Sequence, residues 1–203
     1  MYAELSDETL MLKYRDGDLG AFKELYRRHS RGLYRFIAWR SPRRDWVDEI
    51  AQDAWAGVHH ARARYQPDAS FRTYLFQIAR NRLIDLLRQH QALLSSDIGV
   101  ANQGDGEAGT EFDYLADAAR EEMSPEAALE HRQRIAELHA AIRSLPGEQK
   151  EALILQQFND MSLGEIAQIA AVPVETVKSR LRYAMRKLRQ HLAPGLTSNE
   201  EAV

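Results

Sequence analysis

Apolar residues recur at every third or fourth position through much of the N-terminal half, which predicts helices rather than strands. Three stretches carry this spacing: residues 5–38, which an Asp-Gly-Asp break at 16–18 interrupts, residues 46–63 and residues 71–89. Strand-like alternation of apolar and polar residues is absent from all three. The pattern therefore predicts an all-α domain over residues 1–92.

The helical spacing disappears over residues 93–125, where Gly, Ser, Asp and Glu dominate and few large apolar residues remain. This composition is typical of a flexible linker. The spacing returns at Pro125, a residue suited to the first turn of a helix. We predict an all-α fold of two small helical domains, with a flexible acidic linker over 93–128, a second domain over 129–193 and a disordered tail over 194–203.

The second domain ends in a stretch that predicts a helix-turn-helix over residues 161–188. Ser162 is suited to cap the first helix, and Glu165 three residues later completes a capping box. Pro173 ends that helix and suits the start of the next. The turn needs a left-handed residue, usually Gly, and here the position falls on Ala171 at a cost of roughly 1 kcal/mol.

The last predicted helix has an apolar side and a basic side. Its apolar positions are Val174, Val177, Leu181, Ala184, Met185 and Leu188. Its other faces carry Lys178, Ser179, Arg180, Arg182, Tyr183, Arg186, Lys187 and Arg189. A helix of this kind suits the major groove of DNA. A plain helical hairpin with a charged solvent face is the alternative, and the cap, the short turn and the basic face together favour DNA binding.

The net charge of −3 conceals an uneven distribution of charge along the chain. Residues 1–92 hold 16 Lys and Arg against 12 Asp and Glu, a net charge of +4. Residues 93–130 hold 1 against 10, a net of −9, and residues 131–203 hold 10 against 8, a net of +2. Two basic blocks on either side of an acidic connector indicate a polyanionic partner.

Composition also excludes several classes of protein. The chain has no Cys, which rules out disulfides, cysteine–zinc sites and thiol catalysis. The N-terminus is polar and acidic, unlike a signal peptide. No apolar run approaches the roughly 20 residues of a membrane span. We therefore expect a cytoplasmic protein without membrane insertion, and the sequence predicts no metal site, no cofactor and no enzymatic activity.

Two further clusters of residues are candidates for binding surfaces. The helix over 46–63 carries a compact acidic group beside Trp55, formed by Asp48, Glu49, Gln52 and Asp53. Acidic residues near a helix start also favour the helix dipole, so both a partner surface and a purely local role stay open. The helix from Phe71 interleaves aromatic residues with arginines, a combination that suits single-stranded nucleic acid, whereas Phe76 is better explained as core.

Three motifs, in order, resemble one protein family. DEIAQDAW at residues 48–55 resembles the EDLVQETF segment of bacterial RNA polymerase sigma factors, and FRTYLFQIARNRLIDLLR at 71–88 resembles their FRTWLYRIARNRAIDYLR segment. Residues 145–189 resemble the C-terminal domain of the same family nearly throughout. The resemblance covers about residues 8–92 and 130–192 and is to the extracytoplasmic-function group, the minimal two-domain members of the sigma-70 family.

This resemblance implies three binding surfaces. Contact with the β′ clamp helices and the β subunit of core RNA polymerase would use Asp48, Glu49, Gln52, Asp53 and Trp55. Opening and reading of the −10 promoter element would use Arg64, Tyr65, Gln66, Asp68, Phe71, Arg72, Tyr74, Arg80 and Asn81. Reading of the −35 element would use Thr176, Lys178, Ser179, Arg180, Arg182, Tyr183 and Arg186, with Arg180 and Arg186 also candidates for domain packing.

The resemblance further implies that the acidic linker threads the polymerase active-site cleft and that an anti-sigma factor controls the protein. The sequence departs from the family at Trp55, Tyr74 and Ala171, where Phe, Trp and Gly are common. The first two changes keep an aromatic ring. The main alternative is a stand-alone helix-turn-helix regulator, which would have no need of the acidic surface. An all-helical metal enzyme is a third interpretation, but no Glu-x-x-His pairs recur.

Overall fold

The structure, a computed structural model, describes residues 2–96 and 125–192, and within these ranges all regular structure is helical. The N-terminal domain comprises α1 (Asp7–Arg15), α2 (Leu19–Arg40), α3 (Asp45–Ala61), a 3₁₀ turn (Arg62–Arg64) and α4 (Phe71–Ser96). The C-terminal domain comprises α5 (Pro125–Arg143), α6 (Gly147–Asn159), α7 (Leu163–Ala170) and α8 (Val174–Leu192). The all-α prediction is confirmed. Most of the predicted linker and the predicted tail lie outside the described ranges.

Short polar side chains fix where several helices begin. The Ser6 hydroxyl accepts a hydrogen bond from the Thr9 amide, and Asp18 accepts from the amides that open α2. Gly17 makes the break between α1 and α2. Its φ is 103°, a backbone conformation that a residue with a side chain adopts only with strain. These interactions satisfy amides that a helix start leaves without partners, so the predicted break at residues 16–18 is confirmed.

The N-terminal domain packs α1 against α2 and α3 against α4. Its fully buried side chains include Leu10, Leu25, Phe36, Ile50, Phe71, Phe76 and Leu83. Asp7 ties α1 to α2, because its carboxylate accepts from Arg28 at 2.9 Å and lies 2.6 Å from His29 Nε2. Phe76 is 1% exposed, as predicted for a core residue.

The C-terminal domain packs α8 against α5, α6 and α7. The buried side of α8 is Val177, Leu181, Ala184 and Leu188. Val174 and Met185, which the apolar pattern also assigned to that side, are 38% and 40% exposed, so this part of the prediction is wrong. In so small a domain the neighbouring helices cover only a narrow stripe of α8.

The two domains also pack on each other. Helix α2 contacts α6, helix α4 contacts α7, and the buried residues of both domains form one continuous cluster. At this boundary the Trp39 ring meets His139 edge-on at 5.4 Å and stacks on Phe158 at 6.3 Å. Among the described helices, none combines the length and apolarity needed to cross a bilayer.

Candidate nucleic-acid and partner-binding surfaces

The turn between α7 and α8 has the geometry that DNA-binding helix pairs use. Ser162 caps α7 and forms the predicted capping box with Glu165. Ala171 then adopts a left-handed backbone, with φ 54° and ψ 47°, as the position of the turn predicted. The Val172 amide donates to the Ala167 carbonyl at 3.1 Å and closes the turn.

The outer face of α8 is exposed and basic. Lys178, Arg182, Tyr183 and Arg186 all reach solvent there. The Arg182 and Arg186 guanidinium carbons lie 5.4 and 5.0 Å from the centre of the Tyr183 ring, so the two cations flank an aromatic ring. Lys178 pairs with Glu175 at 2.7 Å, and both side chains are more than half exposed, so water screens this pair.

Three other residues predicted to read DNA sit differently on α8. Thr176 and Ser179 are half-buried. Arg180 forms an ion pair with Glu148 of α6, and its side chain is only 15% exposed. Arg180 therefore links two helices of its own domain, which was one of the two roles expected for it.

The acidic surface on α3 also lies open to solvent. Asp48, Glu49 and Gln52 are exposed and Asp53 is half-buried. Arg82 of α4 spans two of these acids, donating to Asp53 at 2.6 Å and to Glu49 at 3.0 Å. This pairing could not be predicted from the pattern along either helix, and it leaves Asp48 and Gln52 as the most accessible part of the surface.

Trp55 belongs to the core instead. Its ring meets Phe22 edge-on at 5.6 Å and lies 5.1 Å from Tyr26, and the residue is only 7% exposed. The predicted direct contact of Trp55 with a partner stays a prediction. In the structure this ring packs beside Phe22, Tyr26 and Phe71.

The loop before α4 mixes exposed polar residues with buried rings. Arg64, Gln66 and Asp68 are exposed, Tyr74 is half-buried, and Tyr65 and Phe71 are 5% and 0% exposed. The Tyr65 ring meets Tyr74 edge-on at 5.6 Å. Burial raises the pKa of the Tyr65 hydroxyl to about 12, and this hydroxyl has no hydrogen-bond partner among the described residues.

Two basic residues of α4, Arg72 and Arg80, face the other domain. Arg72 donates to the Glu165 carboxylate at 3.0 Å and to the Asn159 carbonyl at 2.9 Å. Arg80 donates to Glu151 at 2.8 Å, whereas the adjacent Asn81 is exposed. The sequence pattern indicated these arginines but not their pairing with Glu165 and Glu151, because partners 93 and 71 positions apart leave no local pattern.

The described residues contain no group of three or more acidic or His side chains arranged to hold a metal ion. The candidate functional residues instead form three surfaces: a basic helix, an acidic patch, and an arginine-rich helix next to aromatic residues. These features define a two-domain, helix-turn-helix nucleic-acid-binding protein with a separate surface for a protein partner.

Comparison with known proteins agrees with this class and narrows it. Sigma-70 region 2 matches residues 25–93, and sigma-70 region 4 matches residues 135–188. The chain is 30% identical over 189 residues to the RNA polymerase sigma factor CnrH of Cupriavidus metallidurans, covering 93% of this chain and 95% of that one. It is also 30% identical over 194 residues to the ECF RNA polymerase sigma factor RpoE of Cereibacter sphaeroides, covering 93% and 98%.

A solved structure shares the fold. The structure of CnrH in complex with the cytosolic domain of CnrY superposes with a TM-score of 0.64 at 23% identity, over 93% of this chain and 97% of that chain. The chain belongs to the sigma-70 family of RNA polymerase sigma factors, in the extracytoplasmic-function group.

Proposed function

We propose that this chain is an alternative sigma factor that binds core RNA polymerase, directs it to specific promoters and promotes DNA melting at the start of transcription. Residues 1–92 would bind the polymerase and the −10 element, residues 129–193 would read the −35 element, and the linker over 93–128 would thread the polymerase cleft. The chemistry of RNA synthesis belongs to the polymerase. The proposal therefore assigns this chain no catalytic residue, metal or cofactor.

Recognition of the −35 element is assigned to the exposed face of α8. Lys178, Arg182 and Arg186 carry donors that can reach base edges or phosphates, and Tyr183 holds the two arginines in place. Thr176 and Ser179 are placed to make shorter contacts near the helix start. Arg180 acts by fixing α8 to α6 through Glu148.

Recognition of the −10 element is assigned to α4 and the loop before it. Arg64, Gln66, Asp68 and Asn81 are exposed and can meet the separated strand directly. Tyr65, Phe71 and Tyr74 form the aromatic base of this surface, and the half-buried Tyr74 is the ring of the three on which an unpaired base can stack. Arg72 and Arg80 supply positive charge for the phosphates.

Binding of core polymerase is assigned to the α3 acidic surface, docked on the β′ clamp helices and supported by the β subunit. An anti-sigma factor is proposed as the regulatory partner. One similar structure, of the sigma factor RpoE with the anti-sigma factor NepR from Bartonella quintana, matches with a TM-score of 0.66 at 20% identity, over 85% of this chain and 96% of that chain. The likeness to that structure shows a shared fold. We propose in addition that this chain, too, binds an anti-sigma factor.

The observation that carries the proposal is the exposed acidic surface of α3, because a stand-alone DNA-binding regulator has no use for it. We expect Asp48→Arg to weaken binding to purified core RNA polymerase by at least about tenfold, since a charge reversal adds repulsion to the loss of an attraction. Fluorescence anisotropy of the labelled full-length chain measures the affinity. Asp48 is a better target than Asp53, whose replacement would also release Arg82.

Glu137→Arg is the matched control, because Glu137 is an exposed acid on α5 of the other domain. It should bind the polymerase as the wild type does. If the wild type does not bind the polymerase, the sigma-factor proposal fails and the stand-alone regulator takes its place. If Asp48→Arg binds as tightly as the control, the polymerase-binding surface lies elsewhere.

A further inference from the structure

The contact between the two domains is built from charged groups. Helices α2 and α4 supply arginines, and α6 and α7 supply carboxylates and backbone carbonyl groups. Two of these arginines, Arg72 and Arg80, are among the residues assigned above to the −10 element. The contact therefore decides whether these two arginines are available to DNA.

Glu151 of α6 is the most buried charged group at this contact, with only 2% of its side chain exposed. One carboxylate oxygen accepts from Arg80 Nε at 2.8 Å, and the other lies 3.2 Å from an Arg40 guanidinium nitrogen. Arg80 and Arg40 are themselves 16% and 12% exposed. A single carboxylate thus binds one arginine from α4 and one from α2.

Arg72 makes the second charged contact. Its guanidinium donates to Glu165 and to the carbonyl of Asn159, at the end of α6. Next to it, Ser70 donates to the same Glu165 carboxylate at 3.1 Å, and Gln77 donates to the Gln168 carbonyl at 3.0 Å. The first two turns of α4 are therefore covered by the C-terminal domain.

Several polar atoms at this contact are buried without hydrogen bonds. They are Arg35 Nε, Arg40 Nε and Glu151 Oε2, the last being close to Arg40 but without a hydrogen-bond partner among the described residues. Each such atom lowers the net stability of the closed arrangement. By contrast, the α3 acidic surface and the basic face of α8 remain exposed. The interdomain contact thus occupies two arginines of the −10 surface and leaves the other two surfaces exposed.

We propose that this interdomain packing is an autoinhibitory contact, in which Glu151 and Glu165 occupy Arg80 and Arg72 and so withhold them from the −10 element until the domains separate. The inference rests on the proposed function. A guanidinium held by a buried carboxylate cannot at the same time bind a DNA phosphate, so closure and −10 binding exclude each other. Binding of the closed chain to the polymerase through α3 can precede the opening.

The absence of Cys allows a direct test, because two engineered cysteines form the only disulfide the chain can make. A Cβ built on Gly32 of α2 lies 3.8 Å from Asn159 Cγ, close to where the sulfur of a Cys at 159 would sit. The double variant Gly32→Cys/Asn159→Cys should therefore oxidise readily and lock the domains together. Neither position belongs to a proposed binding surface.

The locked and reduced forms are compared on a cognate promoter with core polymerase, after the oxidant has been removed. Permanganate reactivity of unpaired thymines measures promoter opening. We expect the oxidised form to open the promoter at least about tenfold more slowly than the reduced form, and dithiothreitol to restore the rate. The wild type, treated with the same oxidant and reductant, is the control. Any change in its rate of promoter opening measures the effect of the treatment on the other components of the assay.

The possible results of this experiment distinguish the autoinhibitory contact from the proposed function. Equal opening by the oxidised and reduced forms would overturn the autoinhibitory contact, and so would failure of the cysteines to oxidise, because the closed arrangement brings them together. Failure of both the wild type and the reduced form to open any promoter would instead refute the proposed function. The ratio of oxidised to reduced activity tests the closure alone.

The carboxylates are tested through the rate of cross-linking in the same double-cysteine chain. Adding Glu151→Gln should slow disulfide formation by about tenfold, because two buried arginines lose their counter-charge. Glu165→Gln should act in the same direction while keeping the capping box, which Gln can also form. Glu148→Gln is the matched control, since Glu148 lies on α6 but pairs with Arg180 inside its own domain. Equal rates in all three would overturn the assigned role of the carboxylates.

Discussion

Ala171 and Asp160 are the two residues other than Gly with a left-handed backbone in the described ranges. Asp160 tolerates this conformation, since a short polar side chain is less penalised there. Ala171 pays the full steric cost of its Cβ, and the turn that sets α8 against α7 depends on it. The stability of the α7–α8 helix pair therefore includes a penalty that a single substitution can remove.

Ala171→Gly should raise the free energy of unfolding by about 0.5–1 kcal/mol, because Gly adopts this backbone without strain but gains freedom in the unfolded chain. The midpoint of urea denaturation measures the change. Ala136→Gly is the control, at an exposed helical position of α5. The same chemical change should lower stability there by about 0.5–1 kcal/mol. A loss at both positions would mean that the Ala171 backbone is unstrained.

At the scale of elements, the two faces of α8 differ in their surroundings: one packs in the domain and the other is exposed. The stripe formed by Val177, Leu181, Ala184 and Leu188 holds the helix in the domain, and the opposite face carries the stacked cations. Arg180 lies between the faces and fixes the helix through Glu148. Because the side chains of the basic face are exposed, their replacement should alter the proposed DNA binding without unfolding the helix.

Arg182→Ala should weaken use of a cognate promoter by about 1–3 kcal/mol if the guanidinium reads a base. Run-off transcription over a series of promoters with single −35 substitutions measures both the loss and its dependence on sequence. A base contact would relax specificity at one position, whereas a phosphate contact would weaken all promoters alike. Arg134→Ala removes the same charge from the exposed face of α5 and serves as the control. Unchanged transcription by Arg182→Ala would remove that residue from the reading surface.

At the scale of the whole molecule, Glu165 connects local structure to domain packing. It completes the capping box of α7 and binds Arg72 of the other domain. Burial alone would raise the pKa of its carboxyl, but the Ser162 amide and the Arg72 guanidinium lower that pKa to about 2, from an ordinary value of 4.5. A lowered folded-state pKa means that the charged carboxylate stabilises the fold above the ordinary value and ceases to do so as the pH falls towards 2.

The difference in Tm between the wild type and Glu165→Gln should accordingly be largest above about pH 5 and should shrink as the pH falls towards about 3. Thermal unfolding followed by circular dichroism measures both chains. A double-mutant cycle with Arg72→Gln at neutral pH should give a coupling of about 1–2 kcal/mol, since both side chains are partly exposed. A Tm difference that does not change with pH, or a coupling near zero, would show that Glu165 acts only within α7.

Local sequence was sufficient for the secondary structure and for two of the surfaces. The break at Gly17, the capping box at Ser162 and the left-handed Ala171 depend on residues within a few positions of one another. The acidic patch and the basic face follow equally from spacing along single helices. The sigma-factor resemblance was recognisable for the same reason, since its motifs are continuous stretches of chain.

Tertiary structure decided which of those charged residues are available. Arg82 pairs with Asp53, 29 positions away, Arg80 with Glu151 across 71 positions, and Arg72 with Glu165 across 93. The same packing buries Trp55 and leaves Val174 and Met185 exposed. Helix periodicity shows which side of a helix is polar, but which neighbour covers that side depends on how distant segments pack. The sequence therefore determined the helices and their chemistry, and the packing of the two domains determined which arginines are exposed and which are withheld.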